Sequence, residues 1–159
     1  MWNLIGSHDT ARILHLCGEN KARQKLCAAV QLLTPGMPMI YYGDEVAMTG
    51  AKDPDCRRGM LWDRSRWDVT TWAHYRRLLA IRKEYPALTE GRLIRQEAWD
   101  DLALVRITRE LDGQKITVLF HAAEGDLHLP ELAGKIDLLS GTVFDGILTG
   151  FAALVVKSA

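Results

Sequence analysis

The spacing of apolar residues changes near residue 90, and this change constrains the fold more than any other feature of the sequence. Before Pro86, apolar positions recur at helical spacing in two segments and form two short continuous runs. After Gly91 they occur in short β-rich runs separated by glycines. Apolar residues repeat at different spacings in amphipathic helices and in strands. We therefore predict two domains, residues 1–90 and 91–159.

The first segment reads as alternating strands and helices. Residues 2–6 and 37–42 are apolar runs too short for an ordinary helix, so we interpret both as strands buried in a parallel sheet. Between them, residues 18–34 place Ala22, Leu26, Ala29, Val30 and Leu33 on one face of a helix. After a long loop over 43–70, a second predicted helix has its apolar side at Trp72, Tyr75 and Leu79, with Leu78 and Ile81 on the flank. This order is that of two β/α units.

The second segment reads as antiparallel β structure. Residues 102–109 and 115–121 flank a turn that contains Asp112-Gly113, which is a strong hairpin signal. Further short runs follow at 127–129, 136–139, 143–148 and 151–156. Several short strands at this spacing indicate a β-sandwich. Because such a sandwich closes its own core, we expect it to fold more independently than the first segment.

Charge and cysteine content limit the function classes. Twenty basic residues balance twenty acidic ones, which disfavours nucleic acid and anionic membranes and favours a neutral ligand. The opening residues do not resemble a signal peptide, and no apolar run is long enough for a membrane helix. The three cysteines, Cys17, Cys27 and Cys56, lack the spacing of a zinc site or a disulfide framework. We expect a cytoplasmic protein with reduced thiols and no cofactor or bound metal.

His8 and Asp9 are the strongest candidates for chemistry in the first segment. Ser7-His8-Asp9 has the residue types of a hydrolytic triad, but consecutive residues cannot form the required line of hydrogen bonds. His8 and Asp9 instead follow a predicted parallel strand, and strand ends form the active-site rim in barrels of β/α units. Spacing alone leaves a capping role for the next segment equally open.

Three ordered motifs resemble signatures of the α-amylase family, glycoside hydrolase family thirteen. They are Asn3-Leu-Ile-Gly-Ser-His-Asp-Thr10, Thr34-Pro-Gly-Met-Pro-Met-Ile-Tyr-Tyr-Gly-Asp-Glu45 and Asp53-Pro-Asp-Cys-Arg-Arg-Gly-Met-Leu-Trp-Asp63. The third is similar to a loop of the cyclomaltodextrinase, neopullulanase and maltogenic amylase group. The resemblance implies the last two β/α units of a TIM-type barrel followed by an antiparallel β-sandwich. The expected ligand is an α-glucan, a maltooligosaccharide or a cyclodextrin.

The resemblance also implies roles for individual residues. Asp9 corresponds to the carboxylate that stabilises the transition state, and His8 to a histidine that binds the same sugar. Arg57 and Arg58 either reach bound glucan or brace the loop by pairing with its aspartates. Of these two, Arg58 is the predicted sugar contact. We expect Trp62 and Trp67, which lie near a junction between elements, to be core residues rather than sugar-stacking platforms.

Retaining hydrolysis needs a nucleophilic carboxylate and a separate acid/base carboxyl about 5 Å apart. In the family both come from earlier strands, and Asp44-Glu45 are more simply explained as residues that brace a loop. Asp53 and Asp55 are a weak calcium signal. We expect the isolated chain to be an inactive C-terminal portion of a retaining hydrolase. The alternative is a non-catalytic module that binds sugar or associates with a second copy through exposed barrel edges.

Overall fold

The computed structural model describes residues 1–158. The first segment contains, in chain order, β1 (Trp2–Asn3), α1 (Ile13–Leu16), α2 (Lys21–Leu33), β2 (Met37–Pro38) and α3 (Val69–Glu84). The second contains β3 (Arg92–Trp99), β4 (Leu104–Leu111), β5 (Gln114–His121), β6 (Leu127–His128), β7 (Ile147–Leu148) and β8 (Ala152–Ser158). Within the described part of the chain, every helix is too short or too polar to cross a membrane.

Strands β1 and β2 pair in parallel, with Trp2 opposite Met37 and Asn3 opposite Pro38. The observed strands are therefore shorter than the predicted ranges 2–6 and 37–42, although their parallel direction is as predicted. Side chains hold the backbone beyond the paired residues. Asn3 Nδ2 donates to Pro35 O at 3.0 Å, and Gln31 Nε2 donates to Met39 O at 2.7 Å. Gln31 Nε2 also donates to Asn3 O at 3.2 Å, so the amide of Gln31 connects both strand segments to helix α2.

Helix α2 begins at an asparagine cap and buries one face. The Asn20 side chain accepts hydrogen bonds from the backbone N–H groups of Ala22 and Arg23, which have no partner within the helix. Leu26, Ala29 and Leu33 are buried as predicted. Ala22 and Val30 are exposed, so their assignment to the buried face was wrong.

Helix α3 is capped by Asp68, whose carboxylate accepts from Thr71 N at 2.7 Å. Its buried stripe contains Tyr75, Leu78 and Ile81. The prediction that Leu79 belongs to the apolar side was wrong, because Leu79 is 44% exposed. Spacings of three residues keep the stripe on one side of the helix, and Leu79 lies beyond its edge.

The second segment forms a four-stranded antiparallel sheet in the order β3-β4-β5-β8. The predicted hairpin is β4 and β5, which pair from Leu104 opposite His121 to Leu111 opposite Gln114. Strand β3 was not predicted. The predicted runs 136–139 and 143–148 contain only the isolated bridge between Ile136 and Val143 and the short strand β7. Strands β6 and β7 pair with each other over the second face of the large sheet.

A single hydrophobic cluster joins the two segments. It contains buried residues of α2, α3, β4, β5 and β8, among them Leu32, Leu33, Leu78, Ile81, Ile107, Ile116, Val118 and Val155. Arginines reinforce this layer, since Arg82 Nη1 donates to Leu32 O at 2.8 Å and buried Arg109 Nη2 donates to Gly91 O at 2.5 Å. Leu104, Leu119 and Leu154 belong to a second cluster on the opposite face of the sheet. The division at residue 90 stays a prediction, and packing crosses it.

Candidate active site

The loop after β1 presents two adjacent polar side chains to solvent. Asp9 N donates to Ser7 Oγ, and Ser7 N donates to Thr10 Oγ1, each at 3.1 Å. The Cys56 thiol donates to His8 O at 3.3 Å and connects this loop to the long loop after β2. The side chains of His8 and Asp9 are 61% and 69% exposed. The backbone of the loop is therefore fixed while its two candidate side chains remain accessible.

Asp9 has two cationic or potentially cationic neighbours. His8 Nε2 and Arg57 Nη2 each lie 3.3 Å from Asp9 Oδ1. Arg57 Nε also lies 2.7 Å from Asp53 Oδ1, so one guanidinium bridges two carboxylates. Among residues 1–158, Asp9 Oδ2 has no hydrogen-bond donor. Asp9 thus keeps one oxygen available to a ligand hydroxyl.

Arg58 points to a different partner. Its Nε donates to Asp55 Oδ1 at 2.6 Å, and Ala51 N donates to Asp55 Oδ2 at 2.7 Å. These hydrogen bonds, the one from Ala51 first, lower the pKa of Asp55. This arrangement braces the loop, which was the alternative considered for both arginines. The predicted contact of Arg58 with sugar stays a prediction, and Arg57 is the arginine that contacts Asp9.

A buried ion pair lies between the loops that follow β1 and β2. Arg12 is fully buried, and its Nη1 lies 2.7 Å from Tyr42 O and 3.3 Å from Asp44 Oδ1. Its guanidinium carbon lies 4.6 Å and 4.8 Å from the ring centroids of Tyr41 and Tyr42. Burial raises the pKa of Asp44 to about 7, although Arg12 acts in the opposite direction.

Asp44 fits closely against Gly6 in the loop after β1. A Cβ atom on Gly6 would lie 2.9 Å from Asp44 Oδ2, so a side chain at this position would displace the carboxylate. Gln24 Nε2 of α2 donates to Asp44 O at 2.9 Å, and Glu45 Oε2 accepts from Gly43 N at 2.8 Å. These are the contacts expected of residues that brace a loop. Arg12 was not predicted as a buried residue, because nothing in the local pattern of the sequence marks an arginine for burial.

The long loop carries one half-buried and one exposed tryptophan. Trp67 Nε1 donates to Leu61 O at 2.6 Å, and its ring centroid lies 5.3 Å from that of Trp72. Trp62 is 80% exposed, so the expectation that it is a core residue was wrong. It lines a cavity of about 500 Å³ together with Arg58, Met60 and Asp63. The physical reason is that the loop turns back on Trp67 and leaves Trp62 outside that packing.

Comparison with known proteins gives a consistent result over the chain. Residues 1–70 match the family model described as α-amylase, catalytic domain. Neopullulanase 2 of Thermoactinomyces vulgaris is 37% identical over 152 residues, which cover 92% of this chain and 26% of the relative. Cyclomaltodextrinase of Geobacillus thermopakistaniensis is 34% identical over 148 residues, 90% of this chain and 25% of the relative. The crystal structure of maltogenic amylase from S. marinus superposes with a TM-score of 0.87 at 30% identity, covering 98% of this chain and 22% of that one.

The match of residues 1–70 to the catalytic-domain model and the similarity of at least 90% of the chain to these two curated relatives define the class. The chain belongs to the α-amylase family of glycoside hydrolases. Within that family, it is similar to proteins named neopullulanase, cyclomaltodextrinase and maltogenic amylase. The chain spans about a quarter of the length of the curated relatives it matches.

Proposed function

We propose that this chain supplies part of the sugar-binding site of a retaining α-glucan or cyclodextrin hydrolase. In this proposal Asp9 stabilises the transition state and His8 binds the same sugar. The nucleophile and the general acid come from other strands of the barrel. The relatives that carry the names cyclomaltodextrinase and neopullulanase support a substrate that is an α-glucan, a maltooligosaccharide or a cyclodextrin.

The observation that carries the proposal is the position of Asp9. It follows β1, whose parallel pairing with β2 gives both strands the same direction, and its carboxylate is exposed. The C-terminal ends of parallel strands form the active-site face of β/α barrels. Arg57 and His8 approach the same oxygen, so they fix the carboxylate in one orientation.

The position of Asp9 suits a hydrogen bond to the sugar that is stronger in the transition state than in the bound substrate. Retaining glycoside hydrolysis passes through an oxocarbenium-like transition state in which the sugar ring flattens. A fixed carboxylate oxygen that accepts hydrogen bonds from sugar hydroxyls stabilises the flattened ring more than the relaxed one. Asp9 itself forms no covalent bond in this scheme. We therefore expect the 159-residue chain alone to release no reducing sugar from cyclodextrin.

A titration of the chain with maltose, followed by amide NMR, tests the binding part of the proposal. We expect saturable shifts at His8, Asp9 and Arg57, and we expect Asp9→Asn to weaken binding at least about tenfold through loss of a charge-assisted acceptor. Asp101→Asn, in an exposed turn of the second segment, is the matched control. Maltose binding that is unchanged by Asp9→Asn would refute the assignment.

Self-association of a non-catalytic module is a second candidate function. Trp2 and Met37 face each other across β1 and β2, yet they are 69% and 64% exposed. Exposed apolar side chains on a two-stranded sheet are a surface on which a second copy can pair. Sedimentation velocity of the parent chain and of the variant Trp2→Lys discriminates this candidate, which requires a dimer that the substitution dissociates.

A further inference from the structure

The four-stranded sheet of the second segment is covered over only part of one face. Toward one end, Leu104, Leu119 and Leu154 pack beneath the layer that carries β6 and β7. Toward the other end, the same face carries Arg106, Thr108 and Thr117 and borders a cavity of about 470 Å³. The sheet thus changes from an apolar core to a polar recess along its own length.

Three hydroxyl groups form a chain across the floor of this recess. Thr108 Oγ1 lies 2.8 Å from Thr117 Oγ1, which lies 2.5 Å from Ser158 Oγ. Thr108 and Thr117 are each only 6% exposed. Two hydrogen bonds use two of the three hydroxyl hydrogens, so one hydrogen remains for another acceptor. Within residues 1–158, no further hydrogen bond from these hydroxyls is present.

Arg106 lines the same recess with unused donors. Its Nε is buried and has no acceptor in the described part of the chain. Its terminal nitrogens lie 3.6 Å from Glu97 Oε2 and 3.5 Å from Glu131 Oε1, which is longer than a charge-assisted hydrogen bond. The face of the guanidinium is fixed 5.3 Å from the Trp99 ring centroid. A buried donor without an acceptor is unfavourable unless a ligand supplies one.

We propose that this recess binds a small ligand through a phosphate-type oxyanion. Four cationic side chains line it, Arg95, Arg106, Lys115 and Lys135, and among residues 1–158 no carboxylate side chain does. Glu97 and Glu131 lie just outside, where Glu97 pairs with Arg95 at 2.7 Å and Glu131 lies near Arg106. A tetrahedral oxyanion offers only acceptors, which match the free hydroxyl hydrogen and the guanidinium donors. The recess is larger than one phosphate group. Ile94 and Leu132 provide an apolar wall for the part of the ligand that carries the phosphate.

Amide NMR of the full chain tests this site with three probes: inorganic phosphate, glucose 6-phosphate and glucose. We expect the first two to give saturable shifts at Thr108, Thr117 and Ser158, and we expect glucose to give none. Sodium chloride at matched ionic strength separates specific binding from screening. Shifts that chloride reproduces, or that glucose produces as strongly as glucose 6-phosphate, would overturn the proposal.

Two charge variants and a control make the test specific. We expect Arg106→Gln and Lys135→Gln each to weaken phosphate binding about tenfold, since each removes one charged contact. Lys135 is half-buried and lies outside the strands, so its variant keeps the test valid even where Arg106→Gln unfolds the sheet. Lys83→Gln, on the exposed side of α3, removes the same charge away from the recess and is expected to bind as the parent does. Parent-like binding by Lys135→Gln would contradict the assignment.

Discussion

Asp9 and Asp53 share one arginine, and this contact distinguishes the two neighbouring arginines of the loop. Arg57 lies 3.3 Å from Asp9 and 2.7 Å from Asp53, whereas Arg58 pairs with Asp55. A guanidinium between two carboxylates holds both in place by fixed, directional hydrogen bonds. Arg57 is therefore a positioning residue for Asp9, and Arg58 stabilises the shape of the loop.

Substitution of the two arginines separates these roles. We expect Arg57→Gln to weaken maltose binding about tenfold, because Asp9 loses a charged hydrogen-bond partner. Arg58→Gln serves as the comparison, because it alters the same charge one residue away. Maltose titrations of both variants by amide NMR give the measurement. An effect of Arg58→Gln that equals or exceeds that of Arg57→Gln would restore Arg58 as the sugar contact.

Asp44 makes the stability of the chain depend on pH. Burial raises its folded-state pKa from 3.8 to about 7, so between these values the folded state binds more protons than the unfolded state. Stability from this group is therefore complete below about pH 4 and is lost as the pH rises to 7. At 1.36 kcal/mol per pKa unit, the loss is at most about 4 kcal/mol.

The variant Asp44→Asn removes this titration. Urea unfolding of the parent and the variant at pH 4.5 and pH 7.5 measures the difference in their free energies of unfolding. We expect the parent to lose stability relative to Asp44→Asn across this interval. A difference that stays constant with pH, or that changes in favour of the parent, would show that Asp44 is ionised throughout and that Arg12 outweighs burial.

At the scale of elements, the spacing of apolar residues predicted those helices and strands that nearby residues in the sequence determine. The two helices, the parallel direction of β1 and β2 and the β4-β5 hairpin all follow from apolar spacing and from a turn that contains Asp112-Gly113. Strand β3 was missed because its first five residues are all exposed, so it lacks an alternating apolar pattern. Its place in the sheet depends on pairing with β4, which is a tertiary contact.

The candidate site, like the fold, was predicted only in part. The exposed pair His8-Asp9 followed from its position after a strand and from the resemblance to the family. The contact between Arg57 and Asp9 joins residues 48 positions apart, and the buried pair Arg12-Asp44 joins residues 32 apart. Neither pairing has a local signal in a single sequence. The loop folds that create them also decide that Trp62 is exposed and Trp67 is half-buried.

The shared core predicts that residues 91–159 do not form a stable unit by themselves. Removal of α2 and α3 exposes Ile116, Val118 and Val155, which are fully buried in the complete chain. Loss of this apolar burial removes a large part of the stabilising free energy of the sheet. This packing argues against the independent folding expected from the strand pattern.

Thermal unfolding of the 91–159 segment, monitored by circular dichroism with dye binding to exposed apolar surface, measures the effect. We expect a broad transition at a lower temperature than that of the complete chain, together with strong dye binding. Val105→Thr in the complete chain changes an exposed position of the same sheet and is the matched control. A cooperative transition of the segment at the midpoint of the complete chain would contradict the shared-core account.

At the scale of the molecule, the chain resembles one region of a larger catalytic architecture. It matches about a quarter of the length of its curated relatives, and under the proposed function the paired strands β1 and β2 are two strands of a larger barrel sheet. A barrel active site draws its residues from the ends of several strands. The proposed role of Asp9 therefore depends on carboxylates that other strands supply.

A chimaera tests this role most directly. It joins the residues of the Geobacillus cyclomaltodextrinase that precede its aligned region to this 159-residue chain. Turnover of cyclodextrin by this chimaera and by its Asp9→Asn variant is the measurement. Because Asp9 is proposed to act more strongly on the transition state than on the bound sugar, we predict that Asp9→Asn lowers kcat at least about 100-fold, a larger factor than its increase in KM. A chimaera that cleaves cyclodextrin equally well with Asp9→Asn would contradict the account.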